Sequence, residues 1–468
     1  LHELEQFLPQ SHNRQWTHLV KETVMSSPAQ LSKPVLRNCF RRAAVALTLL
    51  YALTIAATLS AQTETFSVLH TFTGGTDGAQ PYGGLTVGGT ETFYGTASQG
   101  GIPGSCSGFG CGVAFKLSHS GSGWTLSPLH EFTGSPNDGL RPMGNLTIGP
   151  NGALYGVTYD GGNGSCPYGC GTVFELRPPA TECRTAICYW NETVLYSFQG
   201  GANDGENPDG DLIFDQAGNI YGATEFGGNE GCYLGGCGTI FKLTPSDHGL
   251  WTETIVHSFT NNGSDGNEPA GGVIFDAAGN LYGTTQSGGT SQECYEGCGT
   301  IFELTPSGQT WTESILYNFN LYVDGGSPGQ LTIDPSGKLY GTTYDGGGGG
   351  GSIFELTQVN GSWNFSVLAL FSRCSSDGGL TLDGAGNLYG TCSVGGINGD
   401  SGMVFELKNH DGQWSLLDIY DFTGESDGGE PGAGVVFDGN FNLYGTALIG
   451  GNRSNCMDGC GTVWKITP

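Results

Sequence analysis

The sequence predicts an all-β fold: a seven-bladed β-propeller of four-stranded antiparallel blades, closed by the N-terminal strand pairing into the last blade. Three observations predict it. One phrase recurs seven times, as Phe93-Tyr94-Gly95, Leu154-Tyr155-Gly156, Ile220-Tyr221-Gly222, Leu281-Tyr282-Gly283, Leu339-Tyr340-Gly341, Leu388-Tyr389-Gly390 and Leu443-Tyr444-Gly445, at intervals of roughly 50 to 65 residues. Self-similarity at such a period means an array of supersecondary units. The chain after the leader is rich in Gly, Thr, Asn and aromatic residues, and no long window shows a 3.6-residue period, so the units are built from strands. The last unit lacks its final strand, and a matching segment stands at the other end of the chain.

Taken in order, residues 1–24 precede the first Met, Met25, and read as an extension foreign to the fold. Residues 25–61 read as a secretory signal: Lys33, Arg37, Arg41 and Arg42 come before an apolar run from Ala43 to Ala57, and Ser60-Ala61-Gln62 supplies the small residues of a cleavage site. A run of about 15 residues is short for a bilayer span, so no stable membrane span is expected after cleavage near Ala61. Cys39 lies before the apolar run and is not placed to anchor a lipid. Residues 63–468 form the single propeller domain.

The unit is clearest at residues 269–319. Gly272-Val273-Ile274-Phe275-Asp276 is a short apolar strand, a. Ala277-Ala278-Gly279-Asn280 is a turn whose Gly and Asn tolerate positive φ. Leu281-Tyr282-Gly283-Thr284-Thr285 is strand b, followed by a Gly-rich loop with a cysteine couple. Gly299-Thr300-Ile301-Phe302-Glu303-Leu304 is strand c, ended by Pro306. Trp311-Thr312-Glu313-Ser314-Ile315-Leu316-Tyr317-Asn318-Phe319 is strand d. Four short strands between turn signals make an antiparallel meander. Adjacent apolar residues in strand c predict a sheet covered on both faces, as in stacked blades. The seventh unit ends in strand c at Gly461-Thr462-Val463-Trp464-Lys465-Ile466, and Thr65-Phe66-Ser67-Val68-Leu69-His70-Thr71-Phe72 matches strand d ahead of the first strand a. Closure removes edge strands, which an open array would leave exposed.

Of 16 Lys/Arg and 44 Asp/Glu, the first 62 residues hold six and three, which leaves 10 and 41, a net charge of −31. That surface repels a phosphate backbone, so nucleic acid is excluded as a partner. Fourteen cysteines follow Cys39 and fall into couples: Cys106/Cys111, Cys166/Cys170, Cys232/Cys237, Cys294/Cys298 and Cys456/Cys460 on one segment of the repeat, with Cys183/Cys188 and Cys374/Cys392 elsewhere. An even count in an exported chain reads as disulfides. A zinc reading would need couples from different units to meet, and no His accompanies them.

Strand b as Leu-Tyr-Gly-Thr-Thr, then Gly-rich sequence, then Gly-Cys-Gly-Thr-Val-Phe-Glu-Leu stands here at 281–285 with 297–304, and again at 154–158 with 169–176. In these motifs the chain resembles the GloVer tandem-repeat family of secreted, choice-of-anchor bacterial proteins, over nearly all of the exported part. The resemblance implies a secreted or surface-exposed repeat protein and lends no catalytic residues. Such proteins often carry a C-terminal anchoring segment. This chain ends within its last unit, so a covalent C-terminal anchor is not expected.

An Asp-Gly pair lies between each strand d and the next strand a: Asp77, Asp138, Asp204, Asp265, Asp324, Asp377 and Asp427. A Pro stands three positions after the Gly in six of them: Pro81, Pro142, Pro208, Pro269, Pro328 and Pro431. In a propeller these loops share a face with the b–c loops. The aspartates read either as a carboxylate ring for a cation, Ca²⁺ being the one that would suit them, or for hydroxyl-rich ligands, or as turn residues that accept backbone N–H bonds. No other cofactor or metal is assigned. A second series, Asp215, Asp276, Asp334, Asp383 and Asp438, opens the a–b turns. Trp124, Trp190, Trp251, Trp311, Trp363 and Trp414 are expected to pack between blades, the rival role being a sugar platform.

His70, His130 and His257 occupy one slot, two residues before the strand-d Phe, where Tyr196, Tyr317 and Tyr420 stand in other units. That exchange is what a packed amphipathic ring needs. His119, His248 and His410 fall in c–d turns, which leaves no His on the aspartate face for a Ser or Cys nucleophile. The glycine run 346–351 is followed by neither Lys-Ser/Thr nor a helix, so it is no phosphate cradle. The variable b–c loops carry exposed aromatics, Phe109, Tyr168, Tyr233 and Tyr295, on the face where recognition is expected. The favoured reading is a non-enzymatic binding module for an extracellular glycan, surface polymer or protein. The alternatives are a polysaccharide hydrolase or lyase using paired carboxylates, and a subunit of an extracellular assembly. No acidic pair stands out against the repeat, which favours the first.

Overall fold

The computed structural model describes residues 64–468, apart from 103–105, 122, 135, 181–187, 230, 233–234, 247, 261 and 377. The leader assignments, Cys183 of the Cys183/Cys188 couple, and the candidates Tyr233 and Asp377 lie outside the described residues. Within them the fold is all-β, with one 3-10 turn at Cys106–Gly108. The sheets are small and antiparallel, in a propeller-like arrangement. Unit 1 pairs Thr86–Gly89, Thr92–Ala97, Val113–Ser120 and Gly123–Glu131 in that order. In unit 7, Thr65–Thr71 pairs antiparallel with Thr462–Thr467, which pairs in turn with Leu443–Ala447. The chain's first strand thus finishes its last sheet.

Four sheets of four strands and one of five stand alone, and an extra two-stranded pair flanks unit 6. The expectation of seven separate blades fails at units 3 and 4, which share one eight-stranded sheet. Their inner strands, Gly205–Phe214 and Gly266–Phe275, run parallel and pair at Asp211 and Gly272. The strand-b residue beside the next unit is a threonine at most joints, though unit 2, with Val157 there, keeps a separate sheet without one. Thr96, Thr284, Thr342, Thr391 and Thr446 each donate a hydroxyl bond to the following strand a, at Gly144, Gly329, Gly378, Ala433 and Gly83. Unit 3 has Ala223 there, and the backbones close in directly: a Cβ on Gly210 would stand 2.4 Å from the Gly271 carbonyl carbon.

The repeated phrases are two halves of one contact. Gly283 lies opposite Phe302, and a Cβ on it would stand 2.5 Å from that ring. The same fit joins Gly95 to Phe115, Gly156 to Phe174, Gly222 to Phe241, Gly341 to Phe354, Gly390 to Phe405 and Gly445 to Trp464. The Tyr282 hydroxyl lies 2.8 Å from Glu303 and 3.2 Å from Asp276, its one proton shared between them, so the Glu of strand c and the Asp of the a–b turn both face the Tyr. Asp276 also accepts the backbone N–H groups of Ala278 and Asn280 and holds the turn. Buried clusters form between sheets; Phe72, Phe93, Phe115, Tyr444 and Val463 share one that joins units 1 and 7. The tryptophans pack as expected: Trp311 meets Tyr221 of the preceding unit and Trp363 meets Tyr282.

A second contact links neighbouring units. Gly299, at φ +97°, would place a Cβ 2.5 Å from Pro328 of the next unit. Gly112 with Pro142, Gly171 with Pro208, Gly238 with Pro269, Gly402 with Pro431 and Gly461 with Pro81 repeat it. The residue before each Pro is left-handed, from φ 50° at Ser327 to 59° at Arg141. This is an uncommon state for a non-glycine residue. Its N–H bonds to the residue before the Gly: Ser327 to the Cys298 carbonyl at 3.0 Å, and Gln80 to that of Cys460 at 2.9 Å. Unit 6 lacks the Pro, and there Gly351 donates to the Cys374 carbonyl instead.

Six of the expected disulfides are formed between described residues: Cys106–Cys111, Cys166–Cys170, Cys232–Cys237, Cys294–Cys298, Cys374–Cys392 and Cys456–Cys460. Of the seventh couple only Cys188 is described. It is disulfide-bonded, but its expected partner Cys183 falls in the undescribed segment 181–187, so that pairing stays an expectation of the sequence. Replacing Cys294 and Cys298 by Ser is expected to lower unfolding free energy by about 2 kcal/mol in the chain-entropy account. Gly283→Ala should lower it by about 1–3 kcal/mol, because the added methyl meets a packed ring. Denaturant titration reads both, and an unchanged midpoint for Gly283→Ala would remove the ring contact as the reason for the motif.

Candidate functional site

The d–a and b–c loops share a face, tied by bonds such as Gly101 N–H to Gly75 O (2.8 Å) and Gly289 N–H to Asp265 O (2.7 Å). Within this face each of the six described Asp-Gly carboxylates is satisfied in its own turn. Asp138 accepts from Thr133 N–H (2.9 Å), Thr133 hydroxyl (2.7 Å) and Gly139 N–H (2.7 Å), and meets His130 at 3.3 Å. Asp77, Asp204, Asp265, Asp324 and Asp427 are held in the same way. Among the described residues, no two of these aspartates share a metal-sized cluster.

The histidine slot requires a correction. His70, His130 and His257 do reach the aspartate face: they contact Asp77, Asp138 and Asp265, as Tyr196, Tyr317 and Tyr420 contact Asp204, Asp324 and Asp427. The ring two residues before the Phe points along strand d to the loop it precedes. Burial raises Asp77, Asp138 and Asp265, but the neighbouring imidazole and the hydrogen bonds from Thr73, Thr133 and Thr260 outweigh it and hold all three below their usual range. Beside a phenol, burial wins and Asp204 and Asp324 are raised.

Two features converge where the aspartate series does not. The first is axial. Strand-a residues of all seven units, among them Gly83, Gly144, Gly210, Gly271, Gly329, Gly379 and Gly434, line a cavity of about 90 Å³. Asp209 and Asp211 stand in it where unit 4 has Ala270 and Gly272. Asp211 accepts from Asn145 N–H (2.8 Å), the Asn145 amide (2.9 Å) and Gln330 (3.0 Å). Burial raises Asp209, and the charge of Asp211 adds to the shift. Nearby, burial pushes Glu225 up to about 7, and Asp209 and Glu268 reinforce it against the hydrogen bond from Tyr159 (2.7 Å). These acids break the repeat, contrary to the sequence reading. Comparing the residue after each repeat's Pro would have found Asp209.

The second feature is a pair of grooves between b–c loops. One, about 550 Å³, lies between units 7 and 1 and is lined by Gln80, Gln99, Ile102, Phe109, Met457 and Asp458. The other, about 220 Å³, lies between units 1 and 2 and is lined by Gln99, Phe109, Leu140, Arg141, Asp160 and Tyr168. Phe109 belongs to both. Arg141 pairs with Asp160 at 3.0 Å and lies 5.0 Å over the Tyr159 ring. Phe109 and Tyr168 are each 71% exposed, and each stands inside a disulfide-closed loop. Tyr295 is exposed inside its own such loop on unit 4, away from these grooves.

Fold and face together define a disulfide-rich, propeller-like repeat protein. The Gloeobacter/Verrucomicrobia repeat matches it at residues 51–232, 190–348 and 233–456, and the chain belongs to that family. No curated protein matches it. Solved structures similar to it include a gluconolactonase from Xanthomonas campestris (14% identity, 69% of this chain and 93% of that one, TM-score 0.35). The NanB sialidase of Streptococcus pneumoniae is another (10%, 86% and 70%, 0.41). So is PorZ, a surface component of the type-IX secretion system of Porphyromonas gingivalis (13%, 80% and 45%, 0.41). At these scores they carry no functional argument. Among the described residues no helix is long and apolar enough to cross a membrane.

Glu225 gives a pH dependence of defined sign. A carboxyl raised to about 7 binds its proton more tightly folded than unfolded, so its contribution is full below the ordinary value of 4.5 and is lost as pH rises through about 7. Glu225→Gln keeps the neutral form. The stability of the wild type relative to this variant should therefore fall between pH 5 and 8, and parallel melting curves across that range would refute the assignment.

Proposed function

We propose that the chain is a secreted, non-enzymatic binding module, a closed ring of seven units that holds an extracellular glycan across the grooves between units 7, 1 and 2. The observation that carries it is Phe109, an exposed ring shared by two contiguous grooves whose other polar walls are planar side chains, Gln99, Arg141 and Asp160. Aromatic faces pack against the C–H faces of sugars, and amide, guanidinium and carboxylate groups bond to hydroxyls. The disulfide loops hold the rings in place before binding, which reduces the ordering cost. The formal net charge of −28 disfavours polyanionic glycans and favours neutral or cationic ones.

Ring closure is supported by the contacts of unit 7 with unit 1. Gly461 meets Pro81, Thr446 donates to Gly83, and Phe72 lies in their shared core, as at other joints. Export is supported by the disulfides, which persist in oxidising compartments.

Phe109→Ala and Tyr168→Ala should each weaken binding of a soluble neutral polysaccharide about tenfold, or ~1.4 kcal/mol, in titration calorimetry, with no sugar released. Affinity untouched by both would end the proposal. The hydrolase reading is favoured by one observation, two raised carboxyls that influence each other, Asp209 in the axial cavity and Glu225 near it. Release of oligosaccharide that Glu225→Gln abolishes would establish it in place of the first.

A further inference from the structure

We propose that two joints of the repeat are binding sites for a divalent transition-metal ion, with Zn²⁺ the ion their donors suit: His130, Asp138 and Glu192 between units 1 and 2, and His257, Asp265 and Glu313 between units 3 and 4. Each site draws one donor from three places. The imidazole comes from strand d of one unit, the aspartate from the loop after it, and the glutamate from strand d of the next unit. In both sites the three donor atoms lie within 4.8 Å of one another.

The spacing is that of ligands around an ion. His257 Nε2 lies 3.4 Å from Glu313 Oε1 and 3.8 Å from Asp265 Oδ1. Neither His257 Nε2 nor Glu313 Oε1 has a hydrogen-bond partner, although both are buried, and Glu192 Oε1 is in the same condition. Two ligands on a tetrahedral Zn²⁺, with bonds of about 2.0–2.1 Å, stand about 3.3 Å apart. Asp265 is already oriented, since Thr260 N–H (3.0 Å) and its hydroxyl (2.8 Å) hold the other carboxylate oxygen. Such outer bonds are what fix a metal ligand. The side chains of His257, Glu313 and Asp265 are 19%, 17% and 9% exposed, which encloses the donors and leaves an opening for a fourth ligand.

The repeat supplies its own comparisons. At the joint of units 7 and 1, His70 and Asp77 face Leu126 where the glutamate would be. At that of units 2 and 3, Asp204 and Glu253 face Tyr196 where the imidazole would be. At that of units 4 and 5, Tyr317 stacks at 3.7 Å on Phe365 in the glutamate's place. Leu and Phe build the joint without a buried acid. Glu253 Oε1 is orphaned too, at a joint without an imidazole, so what sets the two proposed joints apart is the complete His, Asp and Glu set within 4.8 Å.

The test uses the full exported chain, stripped with chelator and titrated with Zn²⁺ by calorimetry. Two equivalents should bind and raise the melting temperature. Glu192→Leu and Glu313→Leu, which reproduce the joint at Leu126, should each remove one equivalent, and the double variant should bind none and show no melting shift. If the Leu variants fail to fold, His130→Tyr and His257→Tyr, which copy the Tyr196 joint, take their place with the same expectation. Absence of saturable binding to the wild type would overturn the proposal, as would two equivalents retained in the folded double variant. Neither outcome bears on glycan binding at Phe109.

Discussion

The contact between a glycine and the next unit's proline governs the rest of this fold. The proline ring fills the space a Cβ would need on Gly112, Gly171, Gly238, Gly299, Gly402 or Gly461. To reach it, the residue before the proline takes a left-handed backbone, a state that costs on the order of 1–3 kcal/mol and persists only when its surroundings over-determine it. Here they do. The N–H of that residue bonds to the carbonyl just before the glycine, and at five of these joints the carbonyl belongs to a disulfide-bonded cysteine. The disulfide therefore anchors the acceptor side of the joint as well as closing its own loop.

The same economy links scaffold to surface. The loop that presents Phe109 runs from Cys106 to Cys111, and the carbonyl of Cys111 receives Arg141 N–H, while the Arg141 side chain lines the groove beside Phe109. A strained residue at the joint thus carries a groove side chain. Residues held this way cluster at binding sites because the strain fixes their direction.

Against a background of seven similar units, departures from the repeat mark chemistry. Units 2 to 4 hold them: Asp209, Asp211 and Glu225 near the axis, and Glu192, Glu253 and Glu313 on strand d, the last three raised to about 7 chiefly by burial. Elsewhere the corresponding strand-d positions are apolar, as Leu126, Phe365 and Leu416. Ionisable groups are costly in a packed joint, so a run of them on three successive units is a marked asymmetry in an otherwise repeating frame.

The sequence alone determined the strand order of the unit, the pairing of the two chain ends and the six cysteine couples seen bonded, because each is local or recurs. The Tyr-Gly and Phe-Glu phrases were legible as repeats, though not as partners: that Gly283 exists to admit the Phe302 ring depends on strand register. The histidine slot was legible as an exchange with Tyr, yet its contact with the aspartates was not, since seven or eight residues separate His70 from Asp77 and His130 from Asp138. Only the tertiary structure decided that units 3 and 4 share a sheet, that Asp209 meets an axial cavity, and that His257 and Glu313, more than fifty residues apart, face each other across a joint. Those outcomes rest on how closely neighbouring sheets approach, and inter-sheet distance is set by packing between units, which no single repeat encodes.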